Sequence, residues 1–138
     1  MAITPYIILK DGVTLAWPRL GPLVGLACSR SGGKFQAVDV ARAAIDGRFQ
    51  LWVGMDDEED IKVLLITHIN VFPRLKICEV LACVGDDMPD WKDLLCVVED
   101  WARENGCARM QPVARPGWEK VLKSDGYVKT HVILEKVL

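Results

Sequence analysis

Two side chains in the middle of the chain have the chemistry of a base: His68 and Glu79. An unperturbed histidine titrates near pH 6.5, so His68, set in a β-branched run, is suited to accept a proton from an amine. Glu79 has apolar alternation partners, Ile77 and Leu81, a spacing that aims its carboxylate either into a pocket or into solvent. Other reactive types are less promising. His131 has no metal-type neighbour. The cysteines Cys28, Cys78, Cys83, Cys96 and Cys107 form no C-x-x-C pair and sit among aliphatic residues. Neither a metal site nor a disulfide framework is expected, and most of these cysteines should be reduced, buried packing residues. Among the tryptophans, Trp91, Trp101 and Trp118 are expected to pack against a sheet, whereas Trp17, beside Pro18, is expected to face a partner. Arg115-Pro116-Gly117-Trp118 reads as a fixed helix start with proline in its first turn. Trp17, Arg115 and Trp118 are the candidate interaction residues.

Positioning those residues requires a regular alternation of elements. Thr4 to Leu9 reads as a short strand ended by the Asp11-Gly12 turn. Trp17 to Ser31 has apolar residues at Leu20, Leu23, Val24, Ala27 and Cys28, a helical spacing stopped by Gly32-Gly33. A shorter helix spans Ala37 to Ile45, with Val38, Ala41 and Ile45 on one face and Gly47 as its stop. Three strands follow, Phe49 to Met55, Ile61 to Phe72 and Leu75 to Val84, which predict an antiparallel meander. The acids Asp56 to Asp60 between the first two are expected as a solvated hairpin tip. After Gly85 the period changes: Trp91, Leu94, Leu95, Val98, Trp101 and Ala102 recur at helical spacing, with Asp90 as a cap and Asn105-Gly106 as the stop. Cys107 to Ala114 is then a strand, Pro116 to Lys123 a short helix, and Tyr127 to Val137 a final strand with alternating Val128, Thr130, Val132 and Leu134.

The 138 residues fit one domain, expected to span residues 1–138. With 51% hydrophobic and 26% charged residues the chain has enough apolar content for its own core. A net charge of −2 argues against a nucleic-acid binder that relies on a broad basic surface. The N-terminal MAITPYIILKDG has a short apolar run and no basic region, so neither a signal peptide nor a spanning helix is expected.

The order strand, two helices, three antiparallel strands, helix, strand, short helix, strand resembles the GNAT (N-acetyltransferase) superfamily. The closing stretch, with Asn105-Gly106-Cys107 and Gly126-Tyr127, is similar to the end of such a domain. Trp-Pro-Arg-Leu at Trp17 to Leu20 and Arg-Pro-Gly-Trp at Arg115 to Trp118 resemble the short GNAT-like proteins of tailed bacteriophages. The resemblance implies an α/β (α+β) fold with a mixed, mainly antiparallel central sheet flanked by helices. It also implies an acetyl-CoA site in the turn after the third meander strand, where enzymes of the superfamily carry a Gly-rich phosphate-binding pattern. Here that turn is Val84-Gly85-Asp86-Asp87-Met88-Pro89-Asp90. Gly85, Asp86 and Asp87 occupy the cofactor position, but the turn has one glycine, no arginine and three acids, which repel pyrophosphate, and Pro89 lacks an N–H. The tyrosine that the superfamily often uses as general acid falls at Val121 to Lys123, which contain none. The resemblance further makes Glu79, on the strand neighbouring that of His68, the more family-like base.

These readings lead to two expectations. The first is a phage-type GNAT-like protein without a cofactor, a structural or interaction component of a virion or its assembly. Its partners would be other proteins, phage virion proteins among them, with self-association allowed by the apolar segment Val132 to Leu138. Its location would be the host cytoplasm or the virion. The alternative is an N-acetyltransferase using acetyl-CoA on an unknown amine.

Overall fold

The computed structural model describes the backbone of residues 3–85, 88–114 and 116–138, and their side chains except those of residues 88–90 and 116. Five strands form one sheet: β1 (Thr4–Ile8), β2 (Phe49–Met55), β3 (Ile61–Val71), β4 (Lys76–Gly85) and β5 (Cys107–Pro112), in that spatial order. The first four are antiparallel neighbours and β5 lies parallel to β4. A parallel pair needs a crossover, and α3 (Met88–Glu104) supplies it. The helices α1 (Val13–Ser29) and α2 (Ala37–Ile45) join β1 to β2, and α4 (Pro116–Lys123) follows β5.

The alternation of β2 and β3 decides which helix meets which face. Leu51, Val53, Leu64 and Ile66 pack with α1 and α2, while their neighbours Trp52, Val63 and Leu65 pack with α3 and Leu122 of α4. Both faces are covered here, so the stretches Leu51–Val53 of β2 and Val63–Ile66 of β3 are apolar throughout rather than alternating with polar residues. The α3 stripe is as its spacing predicts: Trp91, Leu94, Leu95, Val98 and Ala102 are all buried.

Four local departures from the sequence reading have physical causes. First, α1 begins at Val13, upstream of both prolines, so Pro18 and Pro22 lie inside the helix. Each removes an intrahelical hydrogen bond. Burial of Val13, Leu20, Val24 and Ala27 along one stripe offsets that loss. Second, α2 is rotated from the expected face. Val40, Ala43 and Ala44 are buried, whereas Val38 and Ile45 are exposed. Small alanines permit close approach to α1, and Asp39 fixes the helix start by accepting the Gln36 N–H at 2.9 Å. Third, the helix α3 starts at Met88, so Asp90 lies within its first turn rather than before it. Fourth, residues 127–138 form no strand, and from Val128 onward they are exposed.

The acidic hairpin is likewise not wholly a solvated tip. Asp56 is buried, and its Oδ1 accepts the N–H groups of Glu58 at 3.0 Å and Asp60 at 2.9 Å. Its Oδ2 lies 3.6 Å from Lys62 Nζ. The backbone donor of Asp60, above all, holds this carboxyl below the usual carboxylate range, against a partial loss of hydration. Glu59, at the tip, takes φ 64°, and its carbonyl accepts the Arg19 guanidinium of α1. Arg19 of the Trp-Pro-Arg-Leu motif thus ties α1 to the hairpin.

Candidate functional site

The sheet register brings the two candidate bases together. His68 and Glu79 are direct cross-strand partners on β3 and β4, so their side chains stand on the same face. Phe49 of β2 precedes His68 in this rank and Gln111 of β5 follows Glu79. The rank continues the face that packs against α1 and α2. Phe49 and His68 meet edge to face with ring centroids 5.7 Å apart. Asn70, two residues along β3, donates from Nδ2 to Glu79 Oε1 at 2.8 Å, fixing the carboxylate and leaving Oε2 without a hydrogen bond among the described residues. Asn70 gave no signal in the sequence, because its partner is defined by strand pairing alone.

Immediately beyond Glu79 the sheet opens. The pairing of β4 with β5 ends at Val80–Pro112, followed by one last bond from Val113 N–H to the Val80 carbonyl. Leu81 is an extra residue in β4, since Ile66 pairs with Ala82 and Thr67 with Val80. Such a bulge bends a strand and strengthens its twist. Leu81 to Gly85 therefore run on with β3 alone and, among the described residues, have no strand on the β5 side. The result is a fork between β4 and β5 with the His68–Glu79 rank at its base. Beside it, Cys28, Phe35, Phe49, Ile66 and Leu81 line an apolar cleft with room for about one water molecule.

The fork is flanked on its other face by aromatic side chains. The helices α3 and α4 begin beyond the ends of β4 and β5, and their first turns meet through Trp91 and Trp118, with ring centroids 4.7 Å apart and planes at 70°. The Trp91 indole N–H is buried without a hydrogen-bond partner among the described residues, and Cys83 of β4 lies beside it. An unpaired buried donor costs about 1–3 kcal/mol, so an acceptor entering here would relieve it.

Other side chains divide into supports and bystanders. Trp52 Nε1 donates to Thr67 Oγ1 at 2.9 Å inside the core, and that hydroxyl donates in turn to Oε1 of half-buried Gln50 at 3.0 Å, a network the sequence did not signal. Burial pushes the thiols of Cys78 and Cys83 up to about 12, so neither is a thiolate nucleophile at neutral pH. Cys28 and Cys78 are buried, Cys83 and Cys107 half-buried and Cys96 exposed on α3, so fewer of the five are buried than the expectation of burial for most of them. A cysteine one position off the α3 stripe faces outward. Tyr127 donates from its hydroxyl to Glu99 at 2.6 Å, and burial foremost raises its phenol above the usual range. Leu122, where the superfamily resemblance places a tyrosine, is buried against α3.

Among the candidate interaction residues, Trp17 is half-buried against the α1/α2 core, and Trp118 is half-buried against Trp91. Gly85 is exposed and in close approach to β3. A Cβ there would lie 3.0 Å from Val63 Cγ2 and 3.2 Å from the Lys62 carbonyl, so packing alone accounts for this glycine. Asp86, Asp87 and Arg115 lie outside the described residues.

No family model matches the chain, and no curated protein matches it. Solved structures do match. A GNAT family acetyltransferase from Staphylococcus aureus subsp. aureus USA300_TCH1516 is 16% identical, with TM-score 0.67 over 100% of both chains. The aminoglycoside N-acetyltransferase AAC(6')-Iy in complex with CoA is 11% identical, with TM-score 0.74 over 99% of this chain and 94% of that one. A predicted acetyltransferase with acetyl-CoA from Clostridium acetobutylicum is 14% identical, with TM-score 0.69 over 98% of this chain and 96% of that one. At such identities the likeness is one of fold, and the fold is that of the GNAT acetyltransferases: a mixed sheet of five mostly antiparallel strands flanked by four helices.

Proposed function

We propose that the chain transfers an acyl group from a CoA-type thioester to an amine at the base of the β4–β5 fork, with Glu79 as the base. The observation that carries this reading is the parting of β4 from β5 one residue beyond Glu79, which sets an open strand edge next to an oriented carboxylate. The donor group would supply an activated acyl carbon when bound. Leu81 to Gly85 fit its pantetheine arm, because an unpaired strand edge offers N–H and C=O groups to amides, and the buried Trp91 N–H is a further donor. The C–N bond to the amine would form as the thioester C–S bond breaks, Glu79 would take the proton that the amine nitrogen releases, and the thiolate would leave to solvent and take its proton from water. Asn70 holds Glu79 in place, and His68, its cross-strand partner, would pass the proton toward solvent.

A second reading, a non-catalytic interaction module, is favoured by Leu122. This buried leucine leaves the thiol-protonating position of the superfamily apolar. The phage virion or assembly role belongs to this reading, and its support is confined to the Trp17–Leu20 and Arg115–Trp118 motifs. The fold likeness to acetyltransferases favours the first. Calorimetric titration with acetyl-CoA separates the two. Micromolar binding is expected for transfer, and no heat at millimolar ligand would overturn it. Acetyl-pantetheine, which lacks the pyrophosphate, tests the arm separately and should bind whether or not Asp86 and Asp87 repel the rest of the donor.

A further inference from the structure

Given acyl transfer at the fork, on which this rests, we infer that the accepted amine carries its own carboxylate. The acceptor class is a small zwitterionic amino acid, with Glu79 meeting its amine end and Arg109 of β5 its carboxylate. The strand β5 pairs in parallel with β4, Gln111 against Glu79 and Arg109 against Ile77. Met110, between Arg109 and Gln111, packs with the α3/α4 core, so alternation turns its two neighbours to the opposite face, the one that bears His68 and Glu79. On β3 the same face carries Asn70, the partner of Ile77. Two neighbouring ranks result, His68–Glu79–Gln111 and Asn70–Ile77–Arg109. Ile77 is buried and gives them an apolar floor, Glu79, Asn70 and Gln111 are half-buried around it, and Arg109 is exposed at the β5 end.

This face holds an anion and a cation that do not neutralise each other. Glu79 is held by Asn70, and among the described residues neither Glu79 nor Arg109 forms an ion pair. Two steps of about 3.3 Å along the strand and one of about 4.8 Å across the sheet put their Cβ atoms roughly 8 Å apart. An α-amino acid bridged between a carboxylate and a guanidinium by charge-assisted bonds of about 2.8 Å at each end spans much the same, about 8–9 Å. The guanidinium can grip a carboxylate through two parallel N–H donors, and the Gln111 amide, beside Glu79, can serve either end of the molecule. An acceptor whose second group is cationic would instead meet Arg109 as a like charge.

Glycine and glycinamide differ in the charge of one end and serve as probes. With acetyl-CoA, kcat/KM for glycine, counted per unprotonated amine, should exceed that for glycinamide by about ten- to a hundredfold, the range of a hydrogen bond between charged groups. Arg109→Gln should abolish this preference by raising KM for glycine. Arg109→Lys, which keeps the charge but loses the paired grip, should fall between the two. Arg109 is exposed, so the far-UV circular dichroism of both variants should match the native protein. A second measurement is independent of turnover. Millimolar glycine, with and without CoA, should shift the NMR amide signals of residues 77–79 and 109–111, and glycinamide or the Arg109→Gln variant should give no such shift. Shifts by glycine without turnover of any amine would overturn the transfer reading and leave the zwitterion site standing. Equal turnover of the two probes, a preference that survives Arg109→Gln, or no shift with glycine under either condition would overturn the inference itself.

Discussion

Glu79 is the side chain on which the proposed chemistry turns, and its neighbours define what substitution should do. Glu79→Gln keeps the shape and the Asn70 hydrogen bond but cannot take a proton. Turnover in a thiol-release assay with acetyl-CoA and an amine should fall by about 10²–10⁴-fold with little change in KM. The buried hydroxyl of Thr67 makes a different kind of claim, about stability alone. Thr67→Val leaves the Trp52 N–H unpaired in the core. Chemical denaturation should show a loss of about 1–3 kcal/mol, with the candidate site intact. Neither consequence was readable from residue type. His68 and Glu79 were identifiable as bases, but their adjacency depends on the β3–β4 register, and Asn70 and Thr67 acquire roles only through it.

Among the elements, the β2–β3 hairpin is organised by one carboxylate. Asp56 has its pKa lowered in the folded chain, so it contributes stability that is present above the ordinary carboxylate range and lost as pH falls through the folded value. Asp56→Asn removes that contribution. The variant should melt a few degrees below the native protein at neutral pH, and the gap should close as the pH is taken below the ordinary carboxylate range. Thermal scans across acid pH check both. A run of five acids reads as surface in any sequence. That the first of them turns inward is set by the local backbone, which presents two N–H groups to it. The α2 helix repeats the lesson. Val38 and Ile45 are the more hydrophobic residues, yet Ala43 and Ala44 are buried, because the close packing of α2 against α1 selects size over hydropathy.

At the scale of the molecule, element order and the two-layer covering of the sheet were legible, since helical and strand periods differ and each is read over many residues. The α3 stripe shows this, with its buried positions at the expected spacing. Nonlocal features were not legible. The fork depends on where β4 and β5 cease to pair, and the closing segment 128–138 has the pattern of a strand but pairs with no strand among the described residues. Periodicity specifies a face to be buried but does not say against what.

The tryptophans packed between the sheet and α3 and α4 have an optical consequence. Trp52 and Trp101 meet at 5.3 Å, and Trp91 and Trp118 at 4.7 Å, both nearly edge to face. Indole rings so close couple their electronic transitions, so the protein carries two chromophore pairs on one side of its sheet. The first lies where α3 presses on the centre of the sheet and dissolves only with the fold. The second bridges the starts of α3 and α4 at the fork and can separate by a local opening. Circular dichroism in the indole absorption bands thus has two independent sources, one tied to global integrity and the other to the contact between the starts of α3 and α4, without any added label.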